Sequence, residues 1–229
     1  MPVRLHYRSW ISSDVEESEE PLILLHGGAT DSSTWDEVAP VLAKRWPVYA
    51  PDLRGHGSSE RPGRYSLELM REDVLALMDE LHVLRASMVG HSMGAVVAYL
   101  VALDHPEWVS RLVLEEMPPP VPLGLPVPPP PQGPVPYDWD VRPAIIEQLN
   151  QPDPRWWTSA DEFTIPTLVI SGGPASHLPN RTLSEFAARL VGGRMVTIPA
   201  GHNVHGTDPD RFLDAVTGFL AGTDSSAAT

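Results

Sequence analysis

Ser92 stands between Gly90 and Gly94 in the stretch GHSMG, at the point where one apolar run ends and another begins. The residues before it, ASMV, favour a strand, and those after it, GAVVAYLVAL, favour a helix. A serine on a tight, glycine-flanked turn from strand to helix presents its hydroxyl above the sheet, as a nucleophile requires. The alternative is a serine that only caps the helix. The strand before it and the helix after it favour the nucleophile.

A serine hydroxyl is a weak nucleophile at neutral pH, so it needs a base and hydrogen-bond donors for the oxyanion. His202, in IPAGHNVH, follows the last predicted strand, and the carboxyl ends of parallel strands share one edge of a sheet. His202 is therefore the predicted base, and His205 in the same stretch is a second candidate. The backbone N–H groups of Met93 and of Gly28, in the HGG turn, are the predicted oxyanion donors.

Composition narrows the range of partners. The 229 residues carry a formal net charge of -14, which repels nucleic acid and anionic membrane surfaces. The chain has no cysteine, which excludes disulfides, thiolate nucleophiles and cysteine metal sites. No stretch has the pattern of a signal peptide or a membrane span. We therefore expect a cytoplasmic protein that acts on a small molecule, and the sequence leaves its oligomeric state open.

Short apolar runs alternate with amphipathic segments along most of the chain. Strands are predicted at VRLHYRSW, PLILLHGG, PVYAPDL, ASMVG, SRLVLEE, IPTLVISGG and RMVTIPAGH. Helices are predicted at STWDEVAPVLAKR, SLELMREDVLALMDELHV, MGAVVAYLVALDHP, DVRPAIIEQLN, NRTLSEFAARLVGG and DPDRFLDAVTGFLAG. This alternation predicts an α/β fold whose parallel sheet is covered by helices on both faces.

A proline-rich segment at residues 118–136 interrupts the alternation and holds 11 of the chain's 26 prolines. Neither a helix interior nor a central strand forms in such a segment. It is a polyproline-like linker, a ligand for a proline-binding domain, or a semi-rigid excursion over the sheet. The last interpretation is the most economical, because it leaves one α/β domain with one insertion.

The stretches LLHGG, DLRGHGSS, GHSMG and IPAGHNVH, in this order, resemble the motifs of the α/β-hydrolase fold superfamily, in particular of its serine esterases and lipases. The resemblance spans almost the whole chain and implies a single domain over residues 1–229. It also implies a mostly parallel, eight-stranded sheet with helices on both faces. A short cap would follow the strand LVLEE, at about residues 117–160, and would include the proline-rich segment.

A histidine base of this kind is oriented by a carboxylate, and here the chain departs from the family pattern. In relatives the acid usually follows the strand equivalent to PTLVISG, but this chain has Ala175 there and no acidic residue in residues 165–182. Some members carry the acid after the preceding strand, which here ends in Glu115 and Glu116. Consecutive strand residues point to opposite faces, so at most one of the two reaches His202. Glu116, farther out of the strand, is the predicted acid, and the alternative is that it caps a turn.

Together these residues and the resemblance predict hydrolysis of a carboxylic ester or lactone through an acyl-enzyme on Ser92, with no metal or organic cofactor. Four tryptophans are predicted to line an apolar substrate pocket: Trp35, Trp139, Trp156 and Trp157. The alternatives are a lyase, cyclase or carbon-carbon bond hydrolase on the same fold, and a ligand-binding protein with weak catalysis. The natural substrate and its stereochemistry are left open by the sequence.

Overall fold

The computed structural model describes residues 1–15 and 19–222, and these build one sheet of seven strands. The strands are β1 (Tyr7–Trp10), β2 (Leu22–Leu25), β3 (Val48–Pro51), β4 (Ala86–His91), β5 (Val109–Glu115), β6 (Thr167–Ser171) and β7 (Arg194–Thr197). Their order across the sheet is β1-β3-β2-β4-β5-β6-β7. Only β1 runs antiparallel to its neighbour. All four residues of β2 are buried, as expected for a strand covered on both faces.

The expected number of eight strands is wrong for the part of the chain that the structure describes. Among the described residues before β2, only those of β1 form a strand, and the chain turns at residues 12–15. In this turn the N–H of Val15 donates to the carbonyl of Ser12 at 3.2 Å. The mostly parallel α/β architecture itself is as predicted.

Eight α-helices lie within the described residues. They are α1 (Ala39–Leu42), α2 (Leu67–Glu80), α3 (Met93–Asp104), α4 (Val141–Asn150), α5 (Pro154–Thr158), α6 (Asn180–Arg189), α7 (Val204–Thr207) and α8 (Pro209–Leu220). Alternate strand residues feed two apolar cores: Ile23 and Leu25 pack with α2, α3 and α6, whereas Leu22 and Leu24 pack with α1 and α8. Within these described ranges, no helix combines the length and apolar character needed to cross a membrane.

The proline-rich segment runs from the end of β5 toward α4 without forming a helix or a regular strand, as its composition predicts. At its far end the carbonyl of Pro136 accepts a hydrogen bond from the N–H of Gly57 at 2.6 Å. In its middle the side chain of Asn150 bonds both backbone groups of Leu125, at 2.6 and 2.8 Å. Residues of the segment and of α4 together line a cavity at the carboxyl end of β4.

Candidate active site

Ser92 occupies the turn between β4 and α3 in a backbone conformation that side chains rarely adopt. Its φ is 51° and its ψ is -117°, and such a positive φ costs of order 1–3 kcal/mol in a residue other than glycine. A β-carbon on Gly90 would lie 2.5 Å from the carbonyl oxygen of Gly94. A β-carbon on Gly94 would overlap the carbonyl oxygen of Leu25. The two glycines are therefore what allows the strand, the turn and the helix to approach so closely.

His202 lies in the loop between β7 and α7, and its ring reaches Ser92. Its Nε2 is 2.9 Å from the Ser92 Oγ, a distance suited to proton transfer. The Nε2–H of His91 donates to the carbonyl of His202 at 2.7 Å and so fixes the backbone of the loop. The N–H of Gly201 adds a hydrogen bond of 3.0 Å to the carbonyl of Gly172, which ties the loop to the end of β6.

Glu116 directly follows β5 and extends the chain of hydrogen bonds by one member. Its Oε2 is 3.0 Å from Nδ1 of His202, and its side chain is fully buried. The hydroxyl of Ser176 donates to the same oxygen, and the N–H of Gly172 donates to Oε1 at 2.5 Å.

Burial raises the pKa of the Glu116 carboxyl, but the three hydrogen bonds that it accepts outweigh burial and hold the pKa below its usual range. The carboxyl is therefore ionised at neutral pH. The Glu116 carboxylate accepts a hydrogen bond from Nδ1–H of His202, which leaves Nε2 as the acceptor for the hydroxyl proton of Ser92.

Ala175 stands where the family pattern places the acid. In this chain the loop around Ala175 instead donates hydrogen bonds to the carboxylate of Glu116. Gly172 and Ser176, on either side of Ala175, both donate hydrogen bonds to Glu116. Strands β5 and β6 are parallel neighbours, so a carboxylate at the end of β5 reaches the space beside the β6 loop. The carboxylate that contacts His202 therefore follows β5 instead of β6.

Glu115 and His205 form a second, deeply buried pair next to the first. Oε2 of Glu115 is 2.7 Å from Nδ1 of His205, and Oε1 accepts the backbone N–H of His205 at 2.9 Å. Nε2 of His205 bonds the hydroxyl of Thr34 at 2.9 Å, and the His205 side chain is 1% exposed. Both ring nitrogens of His205 are therefore engaged away from Ser92, and of the two candidate bases it is His202 that contacts the serine.

A cavity of about 300 Å³ opens beside Ser92 and His202, and the two predicted oxyanion donors border it. Met93 is the first residue of α3, so its N–H has no acceptor within the helix. Gly28 lies against it, since a β-carbon on Gly28 would be 3.9 Å from the Met93 β-carbon. Gly28 and Met93, the predicted oxyanion donors, thus line the same cavity as Ser92.

The tryptophans assigned to the pocket are not part of the cavity wall, and this prediction is wrong. Trp35 is fully buried in the core on the α8 side, where it packs against Phe212. Trp156 belongs to the other core, and Trp157 packs against that core. Trp139 borders a separate, open depression on the surface. Large aromatic rings remove most apolar area from water inside a core, and that burial accounts for the places of Trp35 and Trp156.

Sequence reasoning missed two polar residues of the cavity wall, Arg142 and His177. The centroid of the His177 ring lies 4.2 Å from that of His202. Burial, together with the nearby His202, lowers the pKa of His177. One guanidinium nitrogen of Arg142 lies 3.0 Å from where a β-carbon of Gly28 would stand. The sequence gives little indication that Arg142 lines the cavity, because an arginine in a short predicted helix usually faces solvent.

Much of this architecture matches a known family. Residues 20–139, more than half of the chain, match the family model described as alpha/beta hydrolase fold. The matched range contains β2 to β5 and the Ser92 turn. The chain belongs to the alpha/beta hydrolase fold family.

Individual relatives include hydrolases of several kinds. The 2-hydroxymuconate semialdehyde hydrolase of Pseudomonas sp. (strain CF600) is 40% identical over 99 residues, which are 41% of this chain and 35% of that protein. An sn-1-specific diacylglycerol lipase of Mus musculus is 26% identical, with 87% of this chain and 80% of that protein covered. The chain spans 28% to 35% of the length of the curated relatives that it matches at 40% identity.

Among solved structures, the enol-lactonase from Burkholderia xenovorans LB400 superposes on this chain with a TM-score of 0.81. The superposition covers 95% of this chain and 96% of that one at 24% sequence identity. At this level of identity the likeness establishes the shared fold.

Proposed function

We propose that this protein is a serine hydrolase that cleaves a carboxylic ester or lactone through an acyl-enzyme on Ser92. The observation that carries the proposal is the unbroken chain of hydrogen bonds from Ser92 through His202 to the buried carboxylate of Glu116. Such a carboxylate holds the imidazole in the required tautomer and stabilises the imidazolium that forms during attack. The name of the lipase relative, which matches over most of both chains, supports an ester as substrate.

The first half of the reaction forms the acyl-enzyme. Oγ of Ser92 attacks the acyl carbonyl while its proton passes to Nε2 of His202. The backbone N–H groups of Gly28 and Met93 donate to the oxyanion of the tetrahedral intermediate. When the intermediate collapses, the leaving alkoxide takes the proton from His202, and the acyl group stays on Ser92.

The second half returns the enzyme to its starting state. Water attacks the acyl carbonyl as Nε2 of His202 takes one of its protons, and the same two N–H groups hold the new oxyanion. Collapse breaks the bond to Ser92, which regains its proton from His202 as the carboxylic acid departs. A lactone releases a single hydroxy acid, because its alkoxide and acyl group belong to one molecule.

Hydrolysis of p-nitrophenyl esters and of five- and six-membered lactones tests the proposal, with Ser92→Ala as the matched variant. The parent protein should turn over members of this panel, and rapid mixing should show the acyl mass on the Ser92 peptide. Ser92→Ala should lose roughly 10³-fold or more in kcat. Equal rates for Ser92→Ala and the parent would contradict the proposal. Binding of esters without turnover would favour the ligand-binding alternative, and turnover without an acylated Ser92 would favour other chemistry on this fold.

A further inference from the structure

Among the described residues that line the cavity beside Ser92, Arg142 is the one with a fixed charge. Most of the remaining wall is aliphatic and includes Leu125, Ile145 and Ile146, and no acidic side chain of the described part of the chain contributes to it. The chain as a whole carries a formal net charge of -14. The positive charge of Arg142 beside Ser92 is therefore opposite in sign to the net charge of the chain. The overall charge of the protein does not explain why an arginine lines this cavity.

The backbone of Arg142 is firmly placed at the start of α4. Its N–H donates to the carbonyl of Trp139 at 2.9 Å, and the preceding Asp138 donates its own N–H to the carbonyl of Gly55 at 2.6 Å. The carboxylate of Asp138 accepts the hydroxyl of Tyr65 at 2.6 Å. These bonds attach the first turn of α4 to the loop after β3, so the direction in which Arg142 leaves the helix is set by the fold.

The guanidinium of Arg142 makes no hydrogen bond or ion pair with any residue that the structure describes. The carboxylate of the nearby Asp138 is engaged elsewhere, since it bonds the hydroxyl of Tyr65 and the N–H of Asp140. The side chain is half-buried against an apolar wall. Withdrawing a guanidinium from water is costly unless its donors meet an acceptor, and a carboxylate is the acceptor that matches its planar fork.

We propose that Arg142 binds a carboxylate group of the substrate, so that the substrate is an ester or lactone that also carries a free carboxylate. This inference rests on the proposed function, because it identifies the substrate class of the same site. A guanidinium nitrogen lies 3.0 Å from where a β-carbon of Gly28 would stand, and Gly28 is a proposed oxyanion donor. The substrate carboxylate therefore lies only a few bonds from the carbonyl that Ser92 attacks, and Arg142 pairs with both of its oxygens.

Matched substrate pairs test the proposal. Monomethyl succinate is compared with methyl succinamate, and 5-oxotetrahydrofuran-2-carboxylate with its carboxamide, so that only the charge of one group changes. The parent protein should prefer the carboxylate by about 10- to 100-fold in kcat/KM, the range expected for charge-assisted hydrogen bonds. Arg142→Gln should bring this ratio close to one, and Arg142→Lys should keep part of it. Arg181→Gln changes the net charge equally at a side chain that is 92% exposed, and it should keep the ratio of the parent.

Two kinetic results would overturn the proposal. One is a parent protein that hydrolyses the amides as fast as the carboxylates. The other is an equal loss on both members of a pair in Arg142→Gln, since this would assign Arg142 to the oxyanion instead of the substrate carboxylate.

Binding separates this proposal from the proposed function. Calorimetric titration of Ser92→Ala with the same pairs should show the carboxylate preference, and the Ser92→Ala, Arg142→Gln double variant should lose it. If no substrate is turned over but this difference in binding is found, the carboxylate site stands and the hydrolase proposal fails. Equal binding of acid and amide by Ser92→Ala overturns the carboxylate site, whatever the turnover.

Discussion

Glu115 is the last residue of β5 and Glu116 directly follows it, and each of the two binds a different histidine. Side chains alternate along a strand, so Glu116 reaches His202 while Glu115 reaches His205. Glu116 has a φ of 49°, which marks the residue at which the chain leaves the sheet. The alternation of side chains can be predicted from the sequence. It implies that only one of the two glutamates reaches His202. Which histidine each one meets depends on how the loops after β6 and β7 pack, and the sequence pattern does not contain that information.

Replacing Glu116 by glutamine removes the charge while keeping the shape of the side chain. If Glu116 orients His202, kcat on an ester substrate should fall roughly 10²- to 10⁴-fold, because the base loses the partner of its Nδ1–H. The measurement is steady-state turnover at neutral pH. An unchanged kcat would remove Glu116 from the mechanism.

Glu115→Gln is the matched control for that experiment. It alters the neighbouring buried carboxylate, which bonds His205 and does not contact His202. We expect it to lower the urea midpoint of unfolding and to change kcat much less than Glu116→Gln does.

Helices, strands and turns that depend on local sequence patterns agree closely with their predictions. Those that depend on contacts distant in sequence do not. The turn around Ser92 is predicted correctly because strand, glycines and helix lie within one short stretch. The predicted helix STWDEVAPVLAKR is instead a short 3-10 turn at Ser32–Trp35 followed by α1. Pro40 has no N–H to donate, so it is accommodated in the first turn of a new helix and not inside a longer one. The position of Arg142 in the cavity wall could not be predicted either, because α4 and Gly28 are far apart in sequence and come together only in the folded chain.

The close approach at the serine turn is open to direct test. Gly94→Ala places a β-carbon against the carbonyl oxygen of Leu25, and we expect a loss of about 1–3 kcal/mol in the free energy of unfolding. Gly133→Ala is the control, because a β-carbon there meets nothing within 4 Å. Urea unfolding of both variants measures the difference. Equal midpoints for Gly94→Ala and Gly133→Ala would contradict the tight turn.

At the scale of the whole fold, three histidines of the described residues are buried and have lowered pKa values: His26, His56 and His91. Burial lowers the pKa of His56 to about 3 and that of His91 to about 4. Burial also lowers the pKa of His26, whose Nε2 accepts the N–H of Leu53 at 2.9 Å. In the unfolded chain these rings take up protons at ordinary pH values near 6.5.

The folded protein should therefore lose stability as the pH falls below about 6.5. Between that value and the lowered pKa of each ring, the unfolded chain binds more protons than the folded one, so the loss continues as the pH falls toward 4. Each histidine contributes up to about 1.4 kcal/mol per pH unit. Urea unfolding between pH 7.5 and 5 measures the slope, and His91→Asn should reduce it. A free energy of unfolding that stays constant over this range would contradict the burial of neutral histidines.

Activation of Ser92 by His202 can be tested by covalent labelling of the serine. The folded protein is exposed to a fluorophosphonate, which reacts covalently with activated serines, and its intact mass is measured before the modified peptide is mapped. We expect a single adduct on Ser92, no adduct in Ser92→Ala and slower labelling of Glu116→Gln. An unlabelled parent protein, shown to be folded, would contradict the activation of Ser92 by His202.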